Sequence, residues 1–168
     1  VAKSEVIDRD KGMKALLQMT ARMKAEKPYV VVGITGKSGG KPHEGAGGMT
    51  IVDIGAVHEF GIPGKIPKRS FLRATIDQHD KKYRKYIVNG VRREAMEAAK
   101  AATFSTNSLT LKRTGLMVEG DIKKRIAAGI APPLSPVTIA RKKSSKALID
   151  TGQLRASIAS ELRKGRGP

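Results

Sequence analysis

Three histidines stand in the chain, each followed directly by an acid: His43-Glu44, His58-Glu59 and His79-Asp80. An imidazole beside a carboxylate is raw material for metal ligation or acid–base catalysis. A zinc-protease helix, however, needs a second histidine four residues after the first. That position after His58 is Ile62, so the pattern fails. Cysteine is absent, which excludes disulfide frameworks, thiolate zinc sites and thiol nucleophiles. Serines are scattered, and no Gly-x-Ser-x-Gly turn occurs. No acid–base pair sits in a recognisable frame, so the expectation is a protein that is not an enzyme and has no cofactor or metal. A metal-dependent hydrolase using His58 and Glu59 is the least favoured reading.

Gly36-Lys37-Ser38 follows an apolar run and invites a phosphate-loop reading. That motif requires glycine at position 31, which is Val31. It also requires a helix after Ser38, and Pro42 with its neighbouring glycines denies one. The dinucleotide pattern fails too, because Thr50 stands where its third glycine should be.

Charge is the dominant compositional signal. Lysine plus arginine number 33 and aspartate plus glutamate 15 in 168 residues, a net charge of +18. Solvated helix faces do not explain such an excess, so large acidic partners are expected: nucleic acid or acidic protein surfaces. Cysteine–histidine fingers, RNA-recognition aromatics and a zipper below a basic region are all missing. Aromatics are 4% and tryptophan is absent, which leaves little for base stacking. Contact with DNA would therefore be nonspecific. No apolar run is long enough to span a bilayer, and the first residues lack the apolar core of a secretory signal. A soluble protein made in the cytoplasm, with no membrane partner and no small-molecule substrate, is the expectation.

The elements follow from periodicity. Met13, Leu16, Leu17, Thr20 and Met23 predict a helix over Lys11–Lys27, closed by Pro28. Tyr29 to Thr35 is a β-branched run, predicted as a central or well-covered strand. The stretch 36–48 has six glycines in thirteen residues and predicts an exposed flexible loop, in preference to an arm that reaches a neighbour. Thr50 with Asp53 reads as a capping box opening a short helix that Gly61 ends. Ser70 is a candidate cap for a long helix to about Ala102, with a candidate break near Asp77. Its expected apolar stripe runs through Phe71, Leu72, Ile76, Tyr83, Ile87, Val91, Ala95, Ala98 and Ala102, and Lys81, Lys82, Arg84, Lys85, Arg92 and Arg93 form a basic face. After a polar break at 103–108, Ser108 caps a helix striped by Leu111, Gly115, Val118, Ile122 and Ile126, ended by Gly129. Ala131 to Pro136 is a stiff connector, followed by a helical turn and a basic loop over 141–146. Asp150 is expected to cap a short helix from Thr151 to about Ile158, before one short strand and a basic tail over 163–168. The fold class is α+β. A small sheet, with a strand near 29–35 and a candidate hairpin and C-terminal strand, is packed by long amphipathic helices in a single domain.

Two stretches carry a family resemblance. The first is Ile54-Gly55-Ala56-Val57-His58-Glu59-Phe60-Gly61 with Ile66-Pro67-Lys68-Arg69-Ser70-Phe71-Leu72-Arg73. The second is Pro133-Leu134-Ser135-Pro136-Val137-Thr138-Ile139-Ala140-Arg141-Lys142 with Leu148-Ile149-Asp150-Thr151-Gly152-Gln153-Leu154-Arg155-Ala156-Ser157-Ile158. In their order and spacing they resemble tailed-bacteriophage neck and tail-completion proteins, the Mu-like virion morphogenesis group and its head–tail joining relatives. The resemblance implies a non-catalytic subunit that assembles into a ring, commonly hexameric, at the head–tail junction of the virion. Implied partners are other copies, connector or head-closure proteins, tail-tube or tail-terminator proteins, and nonspecifically the packaged DNA. Against that pattern, Phe60 is expected as a core anchor and Gly61 as a helix end. Pro67 fixes a rigid turn that seats Phe71 and Leu72, with Arg69 left free for a carboxylate. Asp150 is expected as a cap, and Gly152 as a point of close backbone approach. Arg69, Arg73, Lys82, Lys85, Arg92, Arg93, Arg141, Lys142 and Arg155 are the interface candidates. Relatives carry more strand-forming sequence after the last helix, so this sheet is expected to be smaller or completed by a neighbour. The rival function is a nonspecific nucleic-acid-binding protein with a basic helical surface.

Overall fold

The computed structural model describes residues 10–35, 39, 40, 42, 47–101, 108–142, 148 and 152–165. Helix α1 is Lys11–Glu26, strand β1 Tyr29–Ile34, α2 Ile51–Phe60, α3 Arg73–Ala101, α4 Leu109–Ala128, α5 Pro136–Lys142, α6 Gln153–Ala156 and β2 Ile158–Arg163. The architecture is α+β, with a two-stranded antiparallel sheet among long helices. Phosphate-loop candidates Gly36, Lys37 and Ser38, the pair His43-Glu44, the polar break at 103–107 and the caps Asp150 and Thr151 lie outside the described residues. So do residues 143–147 of the basic loop and 166–168 of the basic tail.

Local chemistry sets most of the ends. Asp10 Oδ1 accepts from Met13 N at 2.8 Å and opens α1. Thr50 and Asp53 form a reciprocal capping box at the start of α2. Ser108 Oγ accepts from Leu111 N at the start of α4, and Gly129, at φ +91°, ends it. Ser135 Oγ accepts from Thr138 N one residue before the α5 proline. Each device satisfies amide groups that a helix end leaves open.

Strand β1 pairs with β2 from Tyr29↔Arg163 to Ile34↔Ile158. Of the expectation of a central or well-covered strand, the first half is corrected: among the described residues β1 pairs with β2 alone, and it is mostly half-buried. Among the described residues, the outer edge of each strand carries no further strand. Val30, Val32 and Ile34 share a face with Ile158, Ser160 and Leu162 by the two-residue period. That face lies on α4, where a Cβ on Gly115 would come within 2.6 Å of Val30 Cγ2 and 3.0 Å of Ser160 Cβ. Helix α4 is the centre of the fold. Its Val118, Ile122 and Ile126 join Phe71, Tyr83, Ile51, Leu154 and Ile158 in one core. Gly120 lies on the same helix, but a Cβ there meets nothing within 4 Å. Gly120→Ala should therefore stabilise the protein by about 0.5–1 kcal/mol through helix propensity. The check is a higher urea midpoint at unchanged slope, and a lower midpoint would refute it.

Three expectations need correction. In α1 the buried residues are Ala15 and Met19, whereas Met13 and Leu17 are exposed. Gly12 explains the offset, since its backbone sits close enough to α3 that a Cβ would meet Ala99 O at 2.8 Å. Gly12, Ala15 and Met19 recur at steps of three and four residues and form the face turned to α3, whereas Met13 and Leu17 point outward. Helix α3 runs unbroken through Asp77, and Ile76 of its expected stripe is 42% exposed. The last helix is shorter than expected, because Ile158 already belongs to β2.

Candidate functional site

The first resembling stretch is organised around a carboxylate. Glu59 is only 6% exposed at the end of α2. Its Oε1 accepts from Ser70 Oγ at 2.6 Å and Arg73 N at 3.1 Å. Its Oε2 accepts from Phe71 N at 2.8 Å and Leu72 N at 2.9 Å. Helix α3 has no acid in its own first turn, so Glu59 supplies from another helix the negative charge that its N-terminus favours. Burial pushes the Glu59 carboxyl up, but the bonds from Ser70, Leu72, Arg73 and Phe71 outweigh it and hold the group below its ordinary range. A carboxylate with four donors and a depressed pKa is a poor general base. Among the described residues no cluster of three histidines or acids is placed to hold a metal ion.

Around this carboxylate the backbone turns sharply. Gly61 ends α2 at φ +77°, and a Cβ there would meet Lys68 N at 2.8 Å. Ile62 and Ile66 form an antiparallel bridge, and Arg69 N donates to His58 O at 2.8 Å. The turn itself is at Pro63, Gly64 and Lys65, and Pro67 follows the bridge on the way to Arg69. Phe71 is fully buried and Leu72 half-buried, so both are seated as expected.

Phe60 is not a core anchor. It is 63% exposed, and Arg73 Cζ lies 5.9 Å from its ring centroid. Glu59, its neighbour on the helix, is the side chain that turns inward. Arg69 is not free for a partner's carboxylate either. It is 4% exposed, and its Nε and Nη2 donate to Pro132 O at 3.0 and 2.9 Å, with Pro133 O at 3.4 Å from Nη2. The guanidinium fork fastens the turn to the connector after α4, a geometry lysine cannot copy. Arg69→Lys should cost about 1–2 kcal/mol of stability, read from urea unfolding, and an unchanged midpoint would refute the assignment. Gly152 needs its glycine for φ +78°, not for close approach, since a Cβ there meets nothing within 4 Å.

The remaining interface candidates divide by position. Arg73 and Arg155 are exposed, the latter on α6. Arg141 and Lys142 are the last residues of α5. Lys82, Lys85, Arg92 and Arg93 all lie exposed on α3. Of these, Lys82, Lys85 and Arg93 line one groove of about 530 Å³ between α3 and α4, with Tyr86, Gly90 and Met117. Lys82 pairs with Asp121 at 2.8 Å, and Tyr83 Oη donates to the same carboxylate at 2.9 Å. Burial first, then that bond and the negative charge, push the Tyr83 hydroxyl well above its ordinary range. Lys85, Arg92 and Arg93 have no carboxylate partner among the described residues.

Sequence reasoning missed Glu59 as the organising residue. The available signal was a helix start at 70–73 without its own acid, and a glutamate eleven residues before Ser70. No protein-family model, curated protein or solved structure matches the chain.

Proposed function

We propose that the chain is a structural subunit of a tailed-phage head–tail junction, assembling head-to-tail into a ring that joins connector to tail. The observation that carries the reading is the meeting of the two resembling stretches. Arg69 of the first donates to Pro132 O, one residue before the second, and at 3.4 Å to Pro133 O, its first residue, and a Cβ on Gly55 of the first would stand 3.5 Å from Leu154 Cδ1 of the second. Motifs that share one packed unit are more specific than two unrelated short matches. Two strand edges unpaired among the described residues, and the exposed Phe60, Leu17 and Leu116, add surfaces suited to neighbouring subunits. Assembly needs no catalysis, and Glu59 is committed to holding a helix end. In the virion, and in the host cytoplasm before it, the basic faces would meet acidic rings or packaged DNA.

The test is mass by light scattering, alone and with connector or tail components. A closed ring should appear as a species several times the mass of one chain. A protein that stays monomeric in every mixture overturns the reading. The second reading, nonspecific nucleic-acid binding, is favoured by residues 81–93, which hold six cations and no acid. It expects tight binding of arbitrary DNA by the isolated chain, with a steep loss of affinity as salt rises.

A further inference from the structure

The groove between α3 and α4 has a property that charge alone does not explain. Along α3, Lys82, Lys85, Asn89, Arg93 and Met96 recur at steps of three and four residues, so they form one strip on the helix surface. The first four line the groove with Tyr86, Gly90 and Met117. Met96 continues the strip and is 55% exposed, an apolar side chain in water at the end of a cationic rim. The floor is low because Gly90 lets α4 approach: a Cβ there would overlap Thr110 Cγ2. The result is an apolar trough between two helices, edged by lysines and an arginine.

We propose that this groove is a docking site for an acidic amphipathic helix of a partner protein. The partner's apolar residues would lie over Met117, Tyr86 and Met96, and its carboxylates would pair with Lys85 and Arg93. Charge complementarity selects the sign of the partner, since no carboxylate among the described residues neutralises Lys85 or Arg93. The apolar floor selects a helix over a phosphate backbone. A duplex would engage the cations and leave Met96 and Met117 unused, whereas helix-in-groove recognition uses both. The inference does not require a ring: a monomer presents the same groove, so failure of assembly and failure of docking are separate results.

The experiment uses the full chain and a fluorescein-labelled peptide of about 20 residues, built from Leu, Ala and Glu with leucines at helical spacing. Its controls are a scrambled peptide of the same composition, the peptide with Lys in place of Glu, and a DNA duplex of about 20 base pairs. Anisotropy is read at about 0.15 M salt, where weak surface electrostatics are screened. The acidic amphipathic peptide should bind about tenfold more tightly than either peptide control. The double variant Lys85→Glu/Arg93→Glu should weaken it about tenfold or more, and Met96→Glu about fivefold. These side chains are exposed, and circular dichroism confirms that the variants stay folded. Equal binding of the scrambled peptide, or indifference to Lys85→Glu/Arg93→Glu, overturns the proposal. So does a duplex that binds more tightly than the peptide and is lost in the same double variant, which would assign the face to nucleic acid.

Discussion

Glu59→Ala is expected to lower the unfolding free energy by about 3–4 kcal/mol, because one buried and three part-buried donors lose their acceptor at about 1 kcal/mol each. Phe71 N, Leu72 N, Arg73 N and Ser70 Oγ all donate to this carboxylate. None of the helix's own residues replaces it, since the first turn of α3 has no acid. Water cannot easily repair the loss either, because Phe71 is fully buried beside it. Ser70→Ala removes one of the four bonds, together with the bond that Ser70 Oγ accepts from Ala74 N, and should cost about 1–2 kcal/mol. Urea unfolding reads both, and a Glu59→Ala loss no larger than the Ser70→Ala loss would show that Glu59 does not organise the start of α3. Because the core is thin in aromatics, a loss of this size is a large share of the usual margin of about 5–15 kcal/mol.

The same carboxylate makes stability depend on acid. Its folded pKa lies below the ordinary 4.5. A depressed carboxyl contributes stability that is fully present above its unfolded pKa and is lost as pH falls through the folded value. Stability should therefore decline as pH drops below 4.5, the unfolded reference. Glu119 and Asp121 shift in the same direction, against the opposing effect of burial, through Lys123 and Ser160 for one and Lys82 and Tyr83 for the other. The difference between wild type and Glu59→Gln isolates Glu59: it should shrink below pH 4.5 as the wild-type group protonates.

What the sequence made legible was what neighbours along the chain decide. Thr50 with Asp53, Gly61, Ser108, Ser135 and Gly129 are read correctly because a cap is satisfied within three or four residues. The stripe of α4 is also legible, since Gly115, Val118, Ile122 and Ile126 are all buried. Reading failed where the partner is remote. Residue type favours Phe60 over Glu59 for the interior, but the choice is made by a hydroxyl eleven residues further on and by amide groups twelve to fourteen residues on. Arg69 looked available because its acceptors, carbonyls 63 and 64 residues away, carry no side-chain signature. In α1 the apolar residues are spread around the helix, so periodicity alone could not tell that Gly12 and Ala15 face α3 while Leu17 points outward. Among the groove residues, Lys82, Lys85 and Arg93 were legible as a basic face, but Met117 joined them only through the crossing of α3 and α4.

That crossing is the basis of the last large effect. Gly90→Ala should destabilise by about 2–3 kcal/mol, although alanine is the better helix former by about 1 kcal/mol. The new methyl would overlap Thr110 Cγ2 and stand 2.5 Å from its Oγ1. Thr110 cannot swing aside cheaply. It is 3% exposed, its Oγ1 donates to Glu94 Oε1 at 2.7 Å, and its backbone N donates to the same oxygen at 2.6 Å. The helices must therefore separate, which moves Lys82, Lys85 and Arg93 away from Met117 and opens the groove. Thr110→Ala removes both close atoms at the cost of the hydroxyl's bond, about 1 kcal/mol. In the double variant Gly90→Ala/Thr110→Ala the added methyl partly occupies the space of the lost threonine atoms, so the two changes should be less damaging together than their sum by about 1–2 kcal/mol. A double-mutant cycle in urea measures that coupling. If the two losses add without coupling, the tight approach at Gly90 does not set the spacing of α3 and α4, and the shape argued for the groove goes with it.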